Sequence, residues 1–175
     1  MIRIYSPFIL LLIYLMSFNI LASESKLPKG IIELPTQPAS SFKLNDIDGN
    51  TYHFKPTNGH WSFVHFWASW CGPCRKELPT IQMLSEKMQN KPLEIILINT
   101  AETEDTVFSF LGGIAPDLNS LLDVDGEVTE QWQPRGLPST YLVDPNGKLR
   151  YVVLGGQPWH QASYYNFLLK LIQRE

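Results

Sequence analysis

The chain runs to 175 residues, with 14 basic and 17 acidic side chains and a net charge of −3. That length is enough for one compact domain with a substantial core and too short for two. The acidic balance excludes a surface made to neutralise nucleic-acid phosphates, so no nucleic-acid partner is expected.

The first predicted element is an export segment. Met1-Ile2-Arg3 is a short positive start, Phe8 to Leu21 is almost wholly apolar, and Leu21-Ala22-Ser23 offers small residues where a signal peptidase could cut. Tyr5 to Ala22 is also near the lower length limit for crossing a bilayer, so residues 1–22 read as a signal peptide or an N-terminal membrane anchor. In both cases Arg3 stays in the cytoplasm and the rest is delivered outside it, to the periplasm or another extracytoplasmic space, secreted or anchored. A cut after Ala22 leaves 13 basic against 17 acidic residues, a net charge of −4. Residues 23–40 carry Pro28, Pro35 and Pro38 without periodicity and read as an extended linker, which assigns residues 41–175 to the folded domain.

Within that domain, Ser41 to Asn45 and Thr51 to Phe54 flank Asp48-Gly49, a turn signal, and predict a hairpin that covers a sheet edge. Trp61 to Ala68 is short and apolar except for Ser62 and His65, the pattern of a buried strand. Trp61, Phe63, His65 and Trp67 alternate onto one of its faces. Beyond it, Leu78, Ile81, Leu84 and Met88 recur at helical spacing, and Pro73 suits the first turn of that helix, where a missing N–H leaves nothing unpaired.

Both cysteines, Cys71 and Cys74, fall at this junction of strand and helix. Unpaired N–H groups and the positive end of the helix dipole favour an anion there, so Cys71 should ionise more readily than a free cysteine. Cys74, three residues on, shares its helix face and can close a two-residue ring with it. Because the two lie in one motif, the bond they form is a functional one. The alternatives are half of a zinc site or a pair of inert buried thiols. A zinc site would need two more ligands from His53, His60, His65 or His160, none of which is paired at ligand spacing.

Leu93 to Asn99 predicts a second buried strand, and Thr103 to Leu111 a short helix behind an acidic first turn; a helical crossover between strands implies a parallel pair. Gly112 to Ser120 reads as a loop, Leu121 to Val124 as a short strand or a helix end, and Gly126 to Trp132 as one or two helical turns. Pro138, taken alone, is a turn proline opening a strand. Asn146-Gly147 turns the chain between Thr140 to Asp144 and Lys148 to Leu154. Tyr164 to Ile172 closes the domain as a helix with Phe167, Leu168, Leu171 and Ile172 inward. Parallel then antiparallel strands with helices on both sides make an α/β sandwich.

Phe66-Trp67-Ala68-Ser69-Trp70-Cys71-Gly72-Pro73-Cys74, followed by Glu77 and Pro79, resembles the active-site segment of the thioredoxin superfamily, and most of all its extracytoplasmic TlpA/ResA-type branch. The resemblance implies a thioredoxin-like three-layer sandwich with a mixed sheet and an added N-terminal β-hairpin. It also implies a thiol-disulfide oxidoreductase that uses no metal and no organic cofactor. Its substrates would be proteins bearing disulfides, and a membrane thiol-reducing partner would resupply electrons, as in cytochrome c maturation.

In that family a cis-proline loop lies beside the cysteine pair and meets the substrate chain; Gly136-Leu137-Pro138 matches it. Leu137 and Pro138, with Trp70 and Pro73 beside the cysteines, are therefore the candidate substrate contacts. Glu77 matches a glutamate that tunes the cysteines. His65 stands where thioredoxin carries a buried acid and the TlpA/ResA-type branch a neutral residue; it is a candidate proton acceptor for Cys74 or a core histidine held by hydrogen bonds. Two competing functions share the motif: a copper-binding metallochaperone using the two thiolates, and a disulfide-forming oxidant. A peroxidase would need a polar residue to activate peroxide beside Cys71, a part that Trp70 and Gly72 play poorly.

Overall fold

The computed structural model describes residues 27–173, so the expected export segment of residues 1–22 lies outside the described residues. Eight strands form one mixed sheet: β1 (Ile31–Pro38), β2 (Phe42–Asp46), β3 (Thr51–Phe54), β4 (Trp61–Trp67), β5 (Leu93–Thr100), β6 (Leu121–Asp123), β7 (Ser139–Val143) and β8 (Lys148–Leu154). Their spatial order is β1-β8-β7-β4-β5-β6-β2-β3. β4, β5 and β6 run parallel and every other neighbouring pair is antiparallel. The described residues also form four helices: α1 (Gly72–Met88), α2 (Glu104–Ile114), α3 (Glu127–Trp132) and α4 (Ala162–Ile172).

The alternation along β4 divides the core in two. Trp61, Phe63 and Trp67 face a cluster with Leu78, Ile81, Leu84 and Met88 of α1, Val107 and Leu111 of α2, and Leu168 and Leu171 of α4. Val64 and Phe66 face the other way, onto Val128 and Trp132 of α3, Tyr141, and Phe42 and Phe54 of the hairpin. Phe42 and Phe54 stack with centroids 4.8 Å apart. This is the expected three-layer sandwich, with three helices on one face and the short α3 on the other. The hairpin extends the sheet edge as expected, β2 pairing with β6 and leaving β3 outermost.

Three expectations are corrected. The linker is shorter than its prolines suggest, because residues 31–38 form β1 and pair with β8. Pro35 falls where the register slips between Glu33 and Gln37, and Pro38 ends the strand, positions an edge strand tolerates. Only Ile31 of β1 is buried, which is why no alternation is visible. The helix after β5 continues through Gly112 and Gly113 to Ile114. In α4, Tyr164, Leu168 and Leu171 are the buried set, while Phe167 and Ile172 are only partly covered, since spacings of four and three keep the first group on one stripe. The undecided segment at Leu121 is a three-residue strand.

Candidate active site

β4 delivers the chain to the cysteines, and α1 begins at them. Cys71 is the N-cap of α1 in extended conformation, and its Sγ accepts a hydrogen bond from the Cys74 N–H at 3.2 Å. A backbone donor is therefore already aimed at that sulfur, the arrangement that favours a thiolate once the pair is reduced. Cys71 and Cys74 are bonded to each other as a disulfide, with Cα atoms 5.2 Å apart. Cys71 retains 4% exposure and Cys74 has none, so the outer sulfur is the one a partner can reach.

The turn in front of Cys71 is clamped. Glu102 accepts from the Ser69 N–H at 2.7 Å, from the Ser69 hydroxyl, and from Asn99 Nδ2 at 2.7 Å. Ala101, just before it, has φ of 58°, a left-handed conformation a side chain rarely adopts, and this turns Glu102 back toward the motif. Trp70, next in the turn, is 69% exposed. Pro73 lies at the start of α1 and lines a cleft of about 470 Å³ with Lys76 and Glu77 on one side and Gly156, Gln157 and Pro158 on the other.

The Leu137–Pro138 peptide bond is cis. Ser139 is in register with Phe66, so Pro138 lies at the end of the sheet from which β4 leads to Cys71. Pro138 O accepts from the Gly155 N–H at 3.0 Å, and Gly156 abuts Pro73 so closely that an added Cβ would stand 3.2 Å from Pro73 O. The 155–158 loop thus joins the proline strand to the start of α1.

Behind the first turns of α1 is a buried polar layer. Glu77 is 3% exposed; its Oε1 accepts from the Gln157 N–H at 3.1 Å and from Trp159 Nε1. Burial pushes its carboxyl up to about 8, against the pull of those two donors. His65 is wholly buried, with Nδ1 2.9 Å from Thr140 Oγ1 and Nε2 3.9 Å from Glu77 Oε2. Burial lowers its imidazole to about 3, so in this oxidised form both side chains are neutral at pH 7 and the 3.9 Å contact is not an ion pair there. Tyr164 on α4 also donates into this layer, with Gln157 Oε1 at 2.7 Å and Lys29 O at 3.0 Å from its hydroxyl.

The fold thus brings Cys71, Cys74, Glu77 and His65 together, with Leu137 and Pro138 at the same end of the sheet and Trp70 and Pro73 at the rim. Sequence reasoning missed Gln157, Thr140, Glu102 and Trp159. Gln157 and Trp159 lie 80 and 82 residues from Glu77, and no local pattern joins them. Glu102 reads as part of an acidic helix start, although its carboxylate serves Ser69. Among the described residues, no group of three or more His, Cys, Asp or Glu side chains is gathered to hold a metal ion.

Comparison with known proteins agrees with this geometry. The profile of the AhpC/TSA family matches residues 35–152. The chain belongs to this family. It is 30% identical over 132 residues to the thiol-disulfide oxidoreductase ResA of Bacillus subtilis (strain 168), covering 75% of this chain and 74% of that protein. The crystal structure described as a thiol:disulfide interchange protein DsbE from Chlorobium tepidum superposes with a TM-score of 0.69 at 26% identity, over 84% of this chain and 99% of that one. The thioredoxin domain of a thiol-disulfide oxidoreductase from Bacteroides vulgatus gives 0.67 at 26% identity, over 79% and 99%. With its closed cysteine pair, this AhpC/TSA family member is a thiol-disulfide oxidoreductase of thioredoxin-like fold.

Proposed function

We propose that this oxidoreductase works outside the cytoplasm as a reductant of disulfides in protein substrates, in the manner of cytochrome c maturation. The observation that carries the reading is the asymmetry of the pair. Cys71 caps the helix, takes an N–H from Cys74 and keeps a solvent-facing edge, while Cys74 is sealed beneath it. In the reduced protein the Cys71 thiolate attacks a substrate disulfide and one substrate sulfur leaves. Cys74 then gives up its proton and displaces the second substrate sulfur, closing Cys71–Cys74.

The proton from Cys74 goes to the carboxylate form of Glu77, its neighbour one helical turn on; once the pair is oxidised that carboxyl holds the proton up to about 8, whereas the buried imidazole takes none. Trp70 supports the choice of a polypeptide substrate, as an exposed indole beside the reactive sulfur. Leu137 and Pro138 would meet the substrate backbone, and Pro73 would line the adjoining cleft. Residues 1–22 would export or anchor the chain, and a membrane thiol-reducing partner would return electrons to the pair. Gly-Pro between the cysteines supports the reducing direction.

The test is to express the Cys74→Ala variant in its native envelope and identify what stays disulfide-linked to Cys71. Trapped envelope proteins are the expected result. No trapped protein, with exchange of small disulfides intact, would overturn the protein-substrate reading. The pair's reduction potential tests direction: a value near about −270 mV marks a donor and one near about −120 mV an oxidant.

A further inference from the structure

Two buried polar atoms face each other between β4 and α1, and among the described residues neither has a hydrogen-bond partner: His65 Nε2 and Glu77 Oε2, 3.9 Å apart. Their other ends are committed. His65 Nδ1 meets Thr140 Oγ1, its neighbour across the β4–β7 pairing, at 2.9 Å, and Glu77 Oε1 takes two donors. At 3.9 Å the gap is too long for a full hydrogen bond. It is short enough that the edge one group presents decides which form of the other is tolerated.

Counting hydrogens leaves two arrangements with a neutral imidazole. Opposite a Glu77 carboxylate, the ring presents Nε2–H, and Nδ1 accepts from the Thr140 hydroxyl. Opposite a Glu77 carboxylic acid, the ring presents the bare Nε2, and Nδ1–H donates to the Thr140 oxygen. One proton separates the two states, and it resides on Glu77.

We propose that Thr140 and His65 form a tautomer switch that serves Glu77, the ring hydrogen residing on Nδ1 while Glu77 holds its proton and on Nε2 after Glu77 gives it up. The inference rests on Glu77 as acceptor of the Cys74 proton. As the Cys74 sulfur bonds to Cys71, its proton passes to the Glu77 carboxylate and the substrate sulfur departs with the electron pair of the broken bond. Re-reduction returns the proton to Cys74. His65 is a positioning residue, which gives Glu77 a donor in one state and an acceptor in the other.

Burial supports this division of labour, since it holds the imidazole neutral down to about 3 and lets the Glu77 carboxyl titrate near 8. The other titratable or charged groups that face the pair are few. Tyr164 on α4 has its phenol raised by burial and then by the Glu77 charge. Lys76 on α1 rims the same cleft. Cys74 is bonded to Cys71. From β7 the facing group is the Thr140 hydroxyl.

The test is NMR of isotope-labelled histidine in the full oxidised chain, from about pH 5 to about pH 10, with the Glu77 carboxyl carbon followed alongside. The expected result is a His65 hydrogen on Nδ1 at low pH and on Nε2 at high pH, moving with the Glu77 midpoint. One tautomer throughout, or an imidazolium at neutral pH, overturns the switch.

His65→Leu removes the Nε2–H dipole that faces the carboxylate and should raise the Glu77 midpoint by about one pH unit. His65→Gln, whose amide offers both a donor and an acceptor, should restore it. An unmoved midpoint in His65→Leu also overturns the switch. A fixed tautomer in a protein that still traps substrates on Cys71 defeats the switch and leaves the oxidoreductase reading standing. A moving tautomer without trapped substrates does the reverse.

Discussion

Glu77 and His65 give the molecule an unusual buried pair, one group holding its proton too tightly and the other too loosely. The signs give a stability profile. His65 binds a proton in the unfolded chain below its ordinary 6.5 but refuses it in the fold until about 3, so stability rises with pH across that window. Glu77 keeps its proton in the fold up to about 8 but loses it near 4.5 when unfolded, so stability falls with pH across that range. The two oppose each other between 4.5 and 6.5. We therefore expect denaturant unfolding of the oxidised chain to show a rise from about pH 3, a flat middle, and a decline above about pH 6.5. Glu77→Gln should flatten the alkaline decline. An alkaline decline unchanged in Glu77→Gln would contradict the placement of that proton.

Elements differ in how legible they are. β4 and α1 could be read because each buries a regular stripe: Trp61, Phe63 and Trp67 at a period of two, then Leu78, Ile81 and Leu84 at helical spacing. β1 could not be read, since an edge strand with one buried side chain and two prolines leaves no periodic trace. Its contribution is nonetheless structural. Ile31 enters the main core, and β1 covers the open edge of β8. A chain beginning at Ser41 should lose about 2 kcal/mol or more from the missing Ile31 contacts and should self-associate through the bared β8 edge. The comparison chain begins at Leu27, and unfolding together with sedimentation measures both effects. Equal stability and a monomeric Ser41 chain would return residues 31–38 to the role of a linker.

Across the whole molecule, the candidate active site draws on three distant parts of the chain: the β4–α1 junction, the Leu137–Pro138 loop, and the loop from Gly155 to Trp159. The first was visible because the chemistry and its platform are adjacent in sequence. The second became visible through the family resemblance to Gly136-Leu137-Pro138. The third was not, because Gln157 and Trp159 reach Glu77 only once β7 and β8 lie beside β4. Glu102 was hidden for a similar reason, since its link to Ser69 spans from the end of β5 to the end of β4, neighbours only in the folded sheet.

The central claim is that the outer sulfur attacks and the sealed one finishes the exchange. It is tested most directly by incubating reduced Cys74→Ala and Cys71→Ala variants with the same disulfide-bearing protein and mapping the adducts by mass spectrometry. The expected result is a mixed disulfide on Cys71 in the first variant and little or none on Cys74 in the second. Adducts of equal yield on both cysteines would contradict it.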